Sequence, residues 1–241
     1  MAEVLARGLP FDEAIEFLRK KVALTPEEFK ALEAALRTRA FTVAGITSLG
    51  ALQDLLDLLN RALEEGLTLQ EFRSEANVLL EKRGYKGLTP YRADNIFRTN
   101  LQTAYSVGRY QQMTRPEVIR NRPYWQYDAV LDDRTRPTHR ALHGKVFRAD
   151  DPFWDKWYPP NGYRCRCQVI SLTEEQVRRM GLEVEERSPD WVERPDGLHQ
   201  PLVPDPGFDH NPGKIAFDPD LSKYPPDVRD AFARRSRAKG V

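Results

Sequence analysis

Two pairs of uncommon side chains carry the chemistry of this sequence. His139 and His143 stand four apart in RTRPTHRALHGKVF, residues 134–147, and Cys165 and Cys167 stand two apart in PPNGYRCRC, residues 159–167. The chain has four histidines and two cysteines in 241 residues. Positions i and i+4 share a face of a helix, and positions i and i+2 share a face of a strand. Two imidazoles and two thiolates are a closed tetrahedral set for Zn²⁺, held at about 2.0–2.3 Å. Four protein ligands leave no position for water, so a zinc held this way is structural. The same residues also fit a plainer arrangement, the histidines on a solvated helix face and the cysteines as small buried hydrophobes. A disulfide fits less well, because residues two apart on an extended strand are roughly 6.6 Å apart, at the long edge of disulfide geometry.

Other chemistry is thin. His199 and His210 lie in a proline-rich stretch without a Ser or Cys nucleophile pattern, and no glycine-rich phosphate loop occurs. Asp132, Asp133, Asp150 and Asp151 read as turn and cap residues rather than as a Mg²⁺ site. No catalytic constellation emerges, and the expectation is a protein that is not an enzyme. The 37 Lys and Arg against 36 Asp and Glu exclude a surface that is basic throughout. Charge is uneven locally. Between Arg92 and Arg122 six arginines face only Asp94 and Glu117, so Arg92, Arg98, Arg109 and Arg115 are the candidate contacts to nucleic acid. No run of about 18 apolar residues is present and MAEVLARGLPFDEAIEF lacks the order of a signal peptide, so a cytoplasmic chain without a membrane partner is expected.

These side chains need elements to hold them. Pro137 suits the first turn of a short helix and Gly144 its C-terminal cap, so PTHRALH reads as two turns. YWQYDAVLD (124–132) and CQVISL (167–172) read as strands. A long helix is expected from Thr89-Pro90 to about Met113. Before it the chain is helical by period. Phe11, Ala14, Ile15 and Leu18 make one face; Thr25, Pro26 and Glu28 form a capping box ahead of Phe29, Leu32 and Leu36. Leu49, Leu52, Leu55, Leu56, Leu59 and Leu63 form a stripe closed by Gly66, and Thr68 and Glu71 open a further helix. Leu58 widens the stripe, a hint of a partner surface. After about residue 181 nine of the eighteen prolines fall, which predicts an extended arm without long helices. The expected organisation is α+β: a helical N-terminal region (1–88), a central α+β domain with a small antiparallel sheet (89–180), and a proline-rich C-terminal arm (181–241).

The stretches PFDEAIEFLRKKV, RAFTVAG, LEEGLTLQEFR, FRTNLQTAYSVGRYQQ, RPYWQYDAVLDDRTRPTHRALHGKVF, DDPFWDKWYPPNGYRCRCQVISL and NPGKIAFD together resemble the phage head morphogenesis family typified by the Mu F protein and the SPP1 minor head protein. The resemblance implies a minor structural protein of a tailed-phage or prophage head, made in the host cytoplasm and carried inside the virion near the portal. Its implied partners are the portal protein, the major capsid or scaffolding protein and phage DNA. Some relatives carry a Cys pair where this chain has Arg136 and His139, and a His near Gly162, beside the same C-x-C; the departure here implies a ligand role for His143. The alternative from another class is a metal-dependent nuclease or toxin-like domain acting on DNA.

Overall fold

A computed structural model of the chain describes residues 11–194, 196–214, 221–222 and 224–238. The end of the NPGKIAFD motif after Lys214 and the first ten residues lie outside them.

Helix α1 (Asp12–Arg19) buries Ala14, Phe17 and Leu18. Two strands of two residues follow it, β1 (Val22–Ala23) and, after the short helices α2 (Pro26–Lys30) and α3 (Ala34–Arg37), β2 (Ala40–Phe41). They pair in parallel, Val22 opposite Ala40 and Ala23 opposite Phe41. The sequence reads this region as helical throughout because two residues are too few to show a period of two. The capping box is present: Glu28 N–H donates to Thr25 Oγ1 at 3.3 Å and Thr25 N–H to Glu28 Oε2 at 2.8 Å.

The leucine stripe forms α4 (Leu49–Glu65), ended by Gly66 at φ 77°, the left-handed conformation that glycine adopts without penalty. Leu58 is as buried as its neighbours, 2% exposed, inside the core shared with α5 (Leu69–Lys82). The width of the stripe is thus consumed by internal packing and argues for no partner.

Helix α6 (Pro90–Met113) opens at Thr89, whose hydroxyl accepts from Arg92 N–H, with Pro90 at the first helical position. Its closest neighbour is α1. A Cβ on Gly108 would sit 2.8 Å from the backbone nitrogen of Ala14 and 3.0 Å from the Phe11 ring. Gly108→Ala gains about 1 kcal/mol of helix propensity, yet backbone cannot swing aside as a side chain can, and overpacking of this kind costs about 1–3 kcal/mol. We expect a net loss of stability, read as a lower denaturation midpoint at unchanged m-value; a midpoint that rises would show the two helices free to separate.

After α7 (Pro116–Asn121) comes the expected antiparallel sheet. Strand β3 (Tyr124–Asp128) lies between β4 (Val146–Arg148), which follows α8 (Pro137–Leu142), and β5 (Gln168–Leu172), which follows α9 (Phe153–Trp157). Trp125 pairs with Phe147 on one side and Ser171 on the other. Beneath it Trp125, Trp154, Tyr158, Phe147 and Phe153 pack mostly edge to face, with Phe147 and Phe153 stacked at 3.9 Å.

Strand β5 is an edge, and its outward carbonyls are covered by side chains. Gln102 donates to the Cys167 carbonyl at 3.0 Å, Arg109 to Val169 at 2.9 Å and Arg122 to Ser171 at 3.1 Å. Alternate carbonyls along one edge point the same way, so residues spaced along α6 and beyond it can satisfy them in series.

Helix α10 (Glu174–Arg179) leads into the proline-rich segment. This holds a hairpin of β6 (Trp191–Glu193) and β7 (His199–Pro201) and ends in α11 (Pro226–Ala238). The expectation of no long helix fails here because Pro226 occupies the first turn, where its missing N–H costs nothing, and DVRDAFARRSRA contains no breaker. Val228 and Phe232 of α11 join Tyr224, Val22, Leu24, Leu32 and Leu36 in one cluster, and Arg235 clasps Glu28 through both carboxylate oxygens at 2.6 and 2.8 Å.

Candidate metal centre

Three of the four rare side chains converge. His139 Nδ1 lies 3.7 Å from Cys165 Sγ and 3.4 Å from Cys167 Sγ, and the three donor atoms are within 4.8 Å of one another. For a tetrahedral zinc with bonds near 2.3 Å to sulfur and 2.0–2.1 Å to nitrogen, the N–S edge should be about 3.5 Å. The spacing fits that edge. All three residues are buried: His139 is 2% exposed, Cys165 4% and Cys167 2%.

Local structure explains the convergence. Helix α8 starts at Pro137 and turns Thr138, His139 and Leu142 inward. The cysteines approach from the turn before β5, where Arg164 takes φ 59°, a left-handed conformation that costs a non-glycine residue about 1–2 kcal/mol. Arg164 is held there by its N–H donating to Thr99 Oγ1 at 3.2 Å and by its guanidinium against Asp94 at 2.5 Å. One reversed residue between Tyr163 and Cys165 aims the sulfurs into the interior while the chain goes on into the strand.

The surroundings are polar where the sulfurs are and aromatic elsewhere. Tyr127 of β3 is fully buried and donates to Asn161 Oδ1 at 2.9 Å. Burial and the neighbouring sulfurs push its phenol well above the ordinary range. The Cys165 thiol is held well below its usual value, chiefly by a hydrogen bond from Cys167 and then by His139, against the opposing effect of burial. Cys167, as that donor, is pushed far up by the same bond and by burial. The pair therefore gives up its first proton readily and its second reluctantly, and a cation would take the place of the second. His139 Nε2 is buried without a hydrogen-bond partner among the described residues, with the Trp157 ring perpendicular at 6.2 Å.

His143 is not in this group. Helix α8 ends at Leu142, and His143 already has ψ 131°, so the i, i+4 relation breaks at its last member. Its Nδ1 accepts from Ala129 N–H at 3.1 Å, which makes the 3.4 Å approach to Asp128 Oδ1 a close contact rather than a hydrogen bond. The fold brings together three protein donors, and the Tyr127–Asn161 hydrogen bond lies in the same buried core. Neither residue stands out in sequence, because each reaches the cluster only through tertiary structure; the alternation of YWQYD was the one signal that Tyr127 faces inward.

The acidic turns serve the fold. Asp132 accepts from Arg166 at 2.7 and 2.5 Å, which holds its carboxyl far below the usual range, and Asp151 accepts from Phe153 N–H. The four candidate arginines have internal partners: Arg92 the Ala44 carbonyl, Arg98 Asp94, Arg109 the Val169 carbonyl and Arg115 Glu13.

The fold and site define an α+β protein organised around a buried thiol–imidazole cluster. Residues 53–170, about half of the chain, match the family described as Phage Mu protein F like protein. The putative capsid assembly protein F of Escherichia phage Mu is 35% identical over an alignment of 268 positions, covering 95% of this chain and 60% of that protein. The Mu-like prophage FluMu F protein of Haemophilus influenzae is 39% identical over 168 positions, 65% of this chain and 40% of that protein. The chain thus spans less than two thirds of either relative, and no solved structure matches it. It belongs to the phage Mu F-like family of head morphogenesis proteins.

Proposed function

We propose that this chain is a minor head protein of a tailed phage or prophage, non-enzymatic, placed inside the virion near the portal and acting in prohead assembly and in DNA packaging or delivery. The observation that carries this is the relation, along 95% of the chain, to a protein named for capsid assembly. In this reading His139, Cys165 and Cys167 hold a structural zinc, which when bound supplies a fixed crosslink between α8 and the start of β5. The structural role now rests on burial rather than on a closed set of four ligands. A nuclease needs its metal and its base within reach of a phosphodiester, and these donors are almost wholly covered.

The portal and the major capsid or scaffolding protein are the partners of this reading. Purified chain mixed with purified portal should co-elute with it on size exclusion, whereas a chain that co-elutes with neither portal nor capsid protein has another role. Plasmid incubated with the protein and Mg²⁺, Mn²⁺ or Zn²⁺ should stay intact, and cleavage lost in His139→Ala would transfer the site to the nuclease class. Phage DNA is a further partner through the outward side of α6 and the turn that follows it, where Arg98 and Arg115 are half exposed beyond their ion pairs; its signature is affinity that falls linearly on logarithmic axes with salt.

A further inference from the structure

A second site lies away from the thiols. A cavity of about 370 Å³ opens between the segment after α3, the first turns of α6, and the residues from Pro206 to Pro212, within the size range of small-molecule pockets. Its walls carry the cations Arg37 and Arg92, and no carboxylate is among the described residues that line it. Lys21 also lines it but is buried, donates to Asn100 Oδ1 at 3.0 Å and has its pKa pushed down to about 7 by burial. Two polar atoms of lining residues, Thr42 Oγ1 and His210 Nδ1, are buried without a hydrogen-bond partner among the described residues, although His210 Nε2 meets Thr38 Oγ1 at 2.7 Å. Native proteins seldom leave such atoms unsatisfied unless a ligand or water completes them. At the mouth stand two large aromatic rings that the core does not use, Tyr91 at 64% and Tyr163 at 54% exposure. The Arg164 guanidinium lies 5.0 Å from the centre of the Tyr91 ring.

We infer that this cavity binds a nucleotide, its base against the Tyr91 and Tyr163 rings, its phosphate toward Arg92, and its remaining polar atoms on Thr42 and His210. Exposed rings beside cations are the arrangement by which bases and phosphates are held without sequence preference. An acidic peptide would satisfy the cations but gives the two exposed rings and the orphaned hydroxyl no particular role. The ligand is either a free nucleoside monophosphate or the phosphorylated end of a single strand, which share this chemistry. The inference is independent of the head-assembly reading.

Calorimetric titration of the full chain with dTMP and dAMP at low salt should give one saturable site. Thymidine without its phosphate should bind at least about tenfold more weakly. Tyr91→Ala removes an exposed ring without loss of core packing and should weaken dTMP by at least about fivefold, and Thr42→Val, of matching shape, should weaken it as well. A ten-residue thymidine strand with a 5′-phosphate that binds more tightly than dTMP, while its 5′-hydroxyl counterpart does not, makes the strand end the ligand; equal or weaker binding of both strands makes it the free nucleotide. The inference is overturned by no saturable dTMP or dAMP binding up to about 10 mM, by affinities unchanged in both variants, or by tighter binding of acetyl-aspartyl-phenylalanine than of either nucleotide.

Discussion

Cys167→Ser should strip the protein of its metal and lower its melting temperature by roughly 10 °C or more. Apparent binding energies of structural zinc reach about 10–16 kcal/mol and appear as folding energy, and a chain of this size loses about 2–4 °C per kcal/mol. The wild type should contain about one equivalent of zinc, and a strong chelator should reproduce the drop in the wild type while leaving the variant unmoved. Cys165→Ser should behave alike. His143→Ala should keep the metal, since that imidazole faces the backbone of Ala129 instead of the sulfurs. Protein that purifies without metal and melts at the same temperature with and without chelator would make the cluster a hydrogen-bonded thiol pair and end the zinc reading.

Phe232→Ala should be nearly as costly. The ring is 3% exposed and seated among Val22, Leu24, Leu32 and Leu36, and emptying such a site costs about 3–5 kcal/mol. At about 2–4 °C per kcal/mol the melting temperature should fall by roughly 6–20 °C. Arg234→Ala, on the exposed side of the same helix, should change stability by no more than about 0.5 kcal/mol. Equal melting of the two variants would mean that α11 does not pack against Val22, Leu24, Leu32 and Leu36.

What the sequence discloses depends on how local each determinant is. Helix α6 is legible because its cap, its proline and its period lie within one stretch, and α4 because six leucines and a glycine state both its face and its end. Strands β1 and β2 are illegible, since two residues have no period and their pairing joins segments on either side of two helices. The prolines that mark the C-terminal segment conceal α11, whose own proline sits where a helix tolerates it. At the thiol–imidazole cluster the spacing of the pairs points to His139, Cys165 and Cys167, but the helix end is decided one residue before His143. Tyr127 and Asn161 reach the sulfurs only through tertiary packing. The arginines between Arg92 and Arg122 show the same limit: composition reveals a basic segment, while the carbonyls that Arg109 and Arg122 cover belong to a strand some fifty to sixty residues later.

The clasp between Glu28 and Arg235 joins residues 207 positions apart. At synthesis rates of about 5–20 residues per second, the first partner waits roughly 10–40 s for the second to be made. Throughout that interval Val22, Leu24, Leu32 and Leu36 lack the helix that covers them, and apolar surface exposed in this way is open to chaperones and to other nascent copies. Closure of a loop this long is also slow in itself, because its entropy is lost before its contacts form. A chain interrupted anywhere before Phe232 keeps that face uncovered, and only the docking of α11 closes it.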